Sequence, residues 1–261
     1  MRTLLLSLVL SATAAYGQRV VTPSDDGSGG LCGGRASRYF RAASSGGFGE
    51  FCSRLAASDK VGNWWCINGE GTQPAGSVAL TADGTPYDST QHLCGAWNSN
   101  WFDGLASYKT ANAAEPTALT ICGIFKPYGL SGFQSFLAHG DMGGSGSFVC
   151  YSTIGTAAWQ CVSKNSAGTS IPTSSYVLQN ETVVALCGSY GTADGIVRAY
   201  VDGTPLTPGA AQSPPELFDS SVPWAAGGVT SYRTYGVFLG AFMTETQLSP
   251  SRIAALSTVC Q

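Results

Sequence analysis

The sequence predicts an all-β protein, a mostly antiparallel two-sheet β-sandwich closed by a short C-terminal helix. Three observations predict it. Short apolar or alternating runs recur along the chain, and Gly, Pro, Asp or Asn fills the gaps between them, which is the rhythm of strands joined by tight turns. Two Asp-Gly pairs bracket one such run in "ADGIVRAYVDGTPL" (193 to 206). No segment keeps a helical period for more than two turns until "LSPSRIAALSTV" near the C-terminus.

Composition sets the outer limits. The chain has 261 residues, only 11% of them charged, with a formal net charge of -3. Roughly 25% charged residues is usual for a soluble domain, so Ser, Thr, Asn and Gly carry the solubility here, as in many extracellular chains. Lys and Arg total 13 and do not cluster, so the electrostatic footprint of a nucleic-acid partner is missing.

Residues 1–17 read as a secretory signal peptide. Arg2 starts it, Leu4 to Leu10 form its apolar core, and Ala15-Tyr16-Gly17 is a small-x-small cleavage site. The other reading is a buried N-terminal strand. The run is too short for a bilayer, which needs about 20 residues. No second long apolar segment follows. The mature chain from Gln18 is therefore expected without a membrane span, and secreted, extracellular, periplasmic or on a cell surface.

Residues 18–91 are expected to form an N-terminal extension containing Gly, Ser and Cys, packed on the sandwich. Its first part, "SDDGSGGLCGG" and "AASSGG", has the composition of an extended lead-in. "FGEFCSRLAASDK" (48 to 60) offers one short helix, with Phe51 and Leu55 four apart. "VGNWWCINGEG" and "GSVALTADGTPY" read as strands separated by turn residues. Residues 92–261 form the expected sandwich domain, with strands in "LTICGIF", "FQSFLAH", "SFVCYST", "AAWQCVS", "TVVALCGSY", "IVRAYV" and "YGVFLGAFM". The closing helix has Ser249 as N-cap, Pro250 at its first position and an apolar Ile253, Leu256 pair.

The two Asp-Gly pairs are turns. Asp-Gly suits a two-residue hairpin loop because both positions need φ > 0. Between them Val197, Ala199 and Val201 share one strand face, expected in the core, and Ile196, Arg198 and Tyr200 share the other, partly wet face. At about 3.4 Å per residue the carboxylates of Asp194 and Asp202 stand roughly 20 Å apart, too far to share a metal or a scissile bond.

Nine cysteines are present, without a C-x-x-C, so disulfides are the default for an exported chain and a zinc site is disfavoured. A hairpin centred on Gly155-Thr156 puts Cys150 directly opposite Cys161. Facing residues lie about 4.5–5.5 Å apart at Cα, within disulfide reach, so a Cys150–Cys161 bridge is predicted. Cys122 and Cys187 lie inside apolar runs and read either as bridge partners or as small buried hydrophobes.

"VVALCGSYGTADGIVRAYVDGTPL" resembles the strand–turn–strand core of laminin-G-like domains in the concanavalin A-like lectin and glucanase superfamily. "NSNWFDGLASY", "ALTICGIFKP", "FLAHGDMGGSGSFVCY" and "YGVFLGAFMTETQLSPSRIAAL" follow in that family's order. The resemblance spans about 92 to 260 and implies a two-sheet jelly roll, often with a carbohydrate or protein ligand on the concave face or at its rim. It implies no single activity, because the fold hosts lectins, adhesion modules, hydrolases and lyases.

Chemistry was sought on that frame. Retaining glycosidases need two carboxylates about 5 Å apart, and no E-x-D appears on a predicted strand. A lyase of this fold would want a Gln-x-His strand near an Arg and a Tyr, and Gln91-His92 is one position off that spacing. "GGSGS" (143 to 147) resembles a nucleophile elbow without its strand-to-helix setting or a convincing His partner. Aromatic faces stack on sugar rings, which makes Trp97, Trp101 and Trp224, read as lying in loops, and Tyr200 the candidate ligand contacts. The Gly-rich loop in "LAHGDMGGSGS" sets His139 and Asp141 beside free carbonyls. Asp141, and Asp103 in "WFDG", are the candidate Ca2+ ligands, with an ordinary turn as the other reading. The expected function is a secreted, non-catalytic glycan-binding or adhesion module that contacts a cell-surface or matrix glycan. A structural or protein-binding surface module is the alternative, and a glycan-cleaving hydrolase or lyase of the same fold is the second.

Overall fold

A computed structural model describes residues 51–68, 75–83, 87–93, 97–103, 107–130, 132–140, 146–219, 222–228 and 234–258, and at 75, 83, 87–93 and 97–103 the backbone alone. The chain folds as two packed antiparallel sheets with one short helix, a jelly-roll β-sandwich. Its strands are β1 (Trp65–Asn68), β2 (Ala75–Gly76), β3 (Thr81–Asp83), β4 (Tyr87–Leu93), β5 (Trp97–Asp103), β6 (Ser107–Asn112), β7 (Ala118–Pro127), β8 (Gln134–His139) and β9 (Phe148–Ser152). They continue with β10 (Ala158–Lys164), β11 (Ser170–Pro172), β12 (Tyr176–Val177), β13 (Val184–Gly191), β14 (Arg198–Val201), β15 (Thr204–Pro205), β16 (Pro223–Ala226) and β17 (Tyr235–Thr244). Helix α1 is Pro250–Leu256.

Among the described residues, one sheet has nine strands in the order β15-β14-β13-β7-β17-β1-β2, with β5 also paired to β17 and β4 to β5. The other has eight, in the order β11-β10-β9-β8-β16-β6-β3, with β12 also on β10. β17 is ten residues long and pairs along one edge with β7; its other edge takes β5 at Tyr235–Phe238 and β1 at Gly240–Met243.

β1, β3 and β4 are thus members of the two sheets. A boundary between 91 and 92 falls inside β4, and the sandwich already begins at Trp65, which is fully buried. The sequence hides this because β1 to β4 are short and separated by turn residues. β3 and β1 find their partners, β6 and β17, from tens of residues to most of the chain away, and β4 pairs with the adjacent β5, which joins the sheet through β17.

The core between the sheets contains Trp65, Phe125, Phe136, Phe148, Trp159 and Phe238. Val197, Ala199 and Val201 join it, as their alternation predicts. A second apolar layer covers the outer face of the nine-stranded sheet, where Phe51, Leu55, Ile253 and Leu256 pack on Ile124, Tyr200 and Phe242. The segment read as one short helix at 48 to 60 is two 3₁₀ turns where it is described, Phe51–Arg54 and Ala57–Asp59. α1 starts as its sequence dictates: the Arg252 N–H donates to the Ser249 side chain at 3.2 Å, with Pro250 in the first turn.

Asp202-Gly203 is the predicted hairpin turn, with both residues at positive φ (51° and 78°). The Asp202 carboxylate also accepts from the Ala185 N–H at 2.8 Å. Three disulfides lie among the described residues: Cys52–Cys66, Cys122–Cys187 and the predicted Cys150–Cys161. Cys161 pairs with Cys150 across the β9–β10 ladder in the register the hairpin centre implies. Such cross-links fit an oxidising compartment; residues 1–17 lie outside the described residues.

A clamp ties the two ends of the outer layer together. Arg252 on α1 donates through Nε to both Asp59 carboxylate oxygens, at 3.1 and 3.0 Å, and through Nη2 to Asp59 and to the Arg54 carbonyl. Burial pushes the Asp59 carboxyl up, but the hydrogen bond from Arg252, the Ala56 N–H and the Arg252 and Lys60 charges outweigh it and hold it below the ordinary carboxylate range. A depressed carboxylate contributes stability that is present above its unfolded pKa and is lost as pH falls through the folded one. Thermal stability is therefore expected to fall as pH drops below about 4. Asp59→Asn should cost about 2 kcal/mol at pH 7 and flatten that acid limb. Melting curves of both proteins from pH 7 to 2.5 check it; parallel curves would remove Asp59 as the cause.

Candidate functional site

The expected ligand contacts divide. Trp224 is fully buried on β16, and Tyr200 is 1% exposed in the layer with Ile253 and Leu256. Neither offers a ring face to a sugar, so both leave the candidate set. Each was placed by pattern: Trp224 by its Pro-rich surroundings, Tyr200 by the polar Arg198 on its strand face. Its neighbours in space are α1 and the 3₁₀ turns, which bury it. Trp97 and Trp101 lie not in loops but on β5, where Trp101 is opposite Val237 of β17 and Tyr87 of β4, and Trp97 is opposite Leu93. Asn and Ser are poor strand formers, yet pairing with the long β17 overrides that preference.

Of the two candidate Ca2+ ligands, Asp103 ends β5 opposite Tyr235, and Asp141 lies outside the described residues. Among the described residues no group of three His, Cys, Asp or Glu could hold a metal ion.

His139 is buried rather than a surface residue. Its Nδ1 lies 2.8 Å from Ser147 Oγ and 3.0 Å from Glu115 Oε2, and its ring stacks on Trp224 with centroids 3.9 Å apart. Ser147 therefore does have a histidine partner, which sequence reading missed, because the contact spans a loop and the Glu comes from before β7. The arrangement is nonetheless unlike a nucleophilic triad. Serine and carboxylate share one ring nitrogen, whereas a general base needs one nitrogen for each. Among the described residues Nε2 has no hydrogen-bond partner, and Ser147 is 1% exposed.

A group of exposed and half-buried aromatics lies at the other end of β8. The Tyr128 N–H donates to the Tyr235 carbonyl at 2.8 Å, joining the end of β7 to the start of β17. Buried Gln134 staples this rim: its amide donates to the Tyr128 and Gly129 carbonyls at 2.8 and 3.2 Å, and its Oε1 accepts from the Tyr235 N–H at 3.1 Å. Tyr235 is 40% exposed and Tyr128 half-buried. Gly129 has a φ of 59°, which glycine adopts without strain, and a Cβ there would make only ordinary contact with Tyr235 Cδ1 at 3.6 Å. Half-buried Phe133 then stacks on Tyr151 at 4.6 Å, on the outer face of the eight-stranded sheet. The Tyr151 hydroxyl accepts from Gln160 at 2.6 Å. The result is an aromatic rim with a stapled backbone. Its sequence signal was an aromatic at each strand boundary, Tyr128 after Lys126-Pro127 and Tyr235 before "GVFLGAFM".

The acids whose pKa values are shifted are dispersed. Asp59 serves the α1 clamp. Asp194 is held down by Arg198, 2.5 Å away at its turn. Burial raises Asp202, partly offset by the Ala185 N–H. Burial, with Asp194 and Glu216 nearby, pushes Tyr190 up to about 12. Its hydroxyl is engaged with Gln212 at 3.0 Å and with the Pro215 carbonyl. Each shift has a structural partner, so none by itself marks a catalytic cleft.

No protein-family model matches the chain, and no curated protein matches it in sequence. Solved structures do match in fold. The binding domain of Paraclostridial Mosquitocidal Protein 1 superposes with a TM-score of 0.56 at 10% identity, over 76% of this chain and 52% of that one. The receptor binding domain of botulinum neurotoxin C/D mosaic serotype gives 0.53 at 6% identity, over 74% and 50%. This chain thus spans about half the length of either toxin domain. The Ruminococcus gnavus IT-sialidase CBM40 aligns over 58% of this chain and 96% of its own at 12% identity, with a TM-score of 0.43. At such identities the two toxin domains show a shared fold and nothing more.

Proposed function

We propose that the chain is a secreted, non-catalytic glycan-binding module of laminin-G-like type, and that it takes its ligand at the Tyr128–Tyr235 rim. The observation that carries this reading is a pair of tyrosines, one exposed and one half-buried, whose backbones are tied to each other and to buried Gln134. Aromatic faces with polar edges are what pyranose rings stack on, and a stapled backbone spares the ordering cost of binding. The toxin binding domains of the same fold, one of them a receptor binding domain, support a binding role. Trp101, two residues before Asp103 on β5, and Trp97 stay in the reading as further contacts.

A glycan array of the oxidised chain tests it. Tyr235→Ala is expected to weaken binding about 10- to 100-fold, as loss of one stacking aromatic does, with little change in melting temperature because Tyr235 is exposed. Equal binding by the variant would sink the rim assignment. Repeating the array in EDTA tests Ca2+: lost binding supports an oxygen-ligand site at Asp141 or Asp103, and retained binding removes the metal.

One observation favours the protein-binding alternative. Ile154 (68% exposed), Val177 (56%) and Tyr176 (40%) are large apolar residues left exposed at the β9–β10 hairpin and the adjoining edge strand β12. A surface of that kind suits a protein partner.

A further inference from the structure

We infer that Asn180 is a modification site and carries an N-linked oligosaccharide. Asn180-Glu181-Thr182 is the one Asn-x-Ser/Thr sequence in the chain. An asparagine with a hydroxyl two residues on, and no Pro between, is the acceptor pattern for that modification on a surface segment of an exported protein. The structure supplies the setting. Asn180, Glu181 and Thr182 are all exposed, in the turn that leads from β12 into β13. The Glu181 N–H donates to the Pro127 carbonyl at 2.8 Å and the Thr182 N–H to the Gln179 carbonyl at 3.4 Å, with Glu181 at a φ of 61°. These ties run through backbone atoms, so the Asn180 amide and the Thr182 hydroxyl are not spent on them. Asn68 and Asn165 differ. Both are buried, and their side-chain carbonyls accept from the Cys52 and Thr169 N–H groups at 3.1 and 2.8 Å. The disulfides Cys52–Cys66, Cys122–Cys187 and Cys150–Cys161 fit passage through the oxidising compartment in which an exported chain meets the modifying enzyme.

The donor is an oligosaccharide carried on a polyprenyl diphosphate. A bond forms from Asn180 Nδ2 to the anomeric carbon, and the bond from that carbon to the diphosphate oxygen breaks. The diphosphate leaves with the electron pair, and the amide nitrogen gives up one proton. The transfer needs neither oxidant nor reductant. The position also gives the oligosaccharide something to cover. β12 pairs with β10 and, among the described residues, with no other strand. Its Tyr176 and Val177 are large apolar residues left exposed, and Val177 is three residues before Asn180. An open edge of this kind is a template for pairing with another chain, and bulk placed over it blocks that pairing. A hydrophilic oligosaccharide rooted within about 10 Å of the edge along the chain supplies that bulk and adds solubility.

Mass spectrometry of the full chain purified from its own source tests the site. Reduction, alkylation and cleavage after Lys and Arg release the peptide 165–198, which holds Asn180. It is expected as a glycopeptide. An amidase that cuts the Asn–sugar bond, used in water labelled with heavy oxygen, should convert Asn180 to a labelled Asp. If the peptide appears only with unmodified Asn180, the inference is overturned. Thr182→Val should lose the oligosaccharide and Thr182→Ser should keep it. Sugar that persists on this peptide in Thr182→Val and resists the amidase lies on a hydroxyl and overturns the inference as well. Light scattering before and after enzymatic release tests the cover. Growth of dimers or larger species on release is expected, and a chain that stays monomeric overturns the covering role given to the oligosaccharide.

Discussion

Gly188→Val is expected to stop the two sheets from closing, and even Gly188→Ala should cost about 1–3 kcal/mol, the scale of overpacking in a filled core. Gly188 lies on β13 between Ile121 and Ala199, facing inward. A Cβ there would lie 2.5 Å from Cys150 Sγ, 2.8 Å from Cys161 Sγ and 2.7 Å from Phe148 Cζ. The disulfide of one sheet thus fills the notch left by a glycine of the other. Both half-cystines are fully buried, and a covalent bridge cannot swing aside as a free side chain can. Chemical denaturation of Gly188→Ala measures the cost. A cycle with Cys150→Ala/Cys161→Ala identifies its source, since alanines vacate the notch and should reduce the penalty. A Gly188→Ala protein as stable as the native one would show that the sheets are not in contact there.

Removal of the Cys122–Cys187 bridge is expected to have the larger effect among the three disulfides. It joins β7 to β13 across 65 residues, against 14 for Cys52–Cys66 and 11 for Cys150–Cys161. On the loop-closure account the first contributes about 4 kcal/mol and each of the others about 3 kcal/mol. Cys187 also lies under the C-terminal helix, its Sγ 3.5 Å from Ser257 Oγ. Loss of the bridge should therefore loosen α1 as well. Melting temperatures of the three paired Cys→Ala variants provide the check. If Cys122→Ala/Cys187→Ala is the mildest of them, closure entropy does not set the order, and packing on each sheet face does.

Much of the frame was legible in the sequence, for local reasons. Asp202-Gly203 carried the hairpin because its turn requires two positive φ values. Ser249-Pro250 carried the start of α1 because a cap and a fixed φ act within one turn. Cys150 and Cys161 carried their bridge because a hairpin centre sets register by itself. The membership of β1, β3 and β4 was not legible, since β1 and β3 take partners distant in sequence and β4 reaches the sheet only through β5 and β17. The candidate site was half legible. Aromatic residues could be picked out by type, but exposure decides which rings are accessible. Trp224 and Tyr200 lie where the sandwich and its outer layer cover them, while Tyr128 and Tyr235 lie where the chain turns at an open rim. The Ser147–His139–Glu115 contact was illegible because its three members come from separate segments.

The sequence by itself determined the class of fold, the turns, the helix cap and one disulfide, because each follows from backbone preference or alternation over a few residues. Only the tertiary structure decided which aromatic rings face solvent, which charges are paired, and that a glycine and a disulfide interlock between sheets. Those properties depend on what is brought alongside a residue from elsewhere in the chain, and burial is a sum over such neighbours that no local pattern contains.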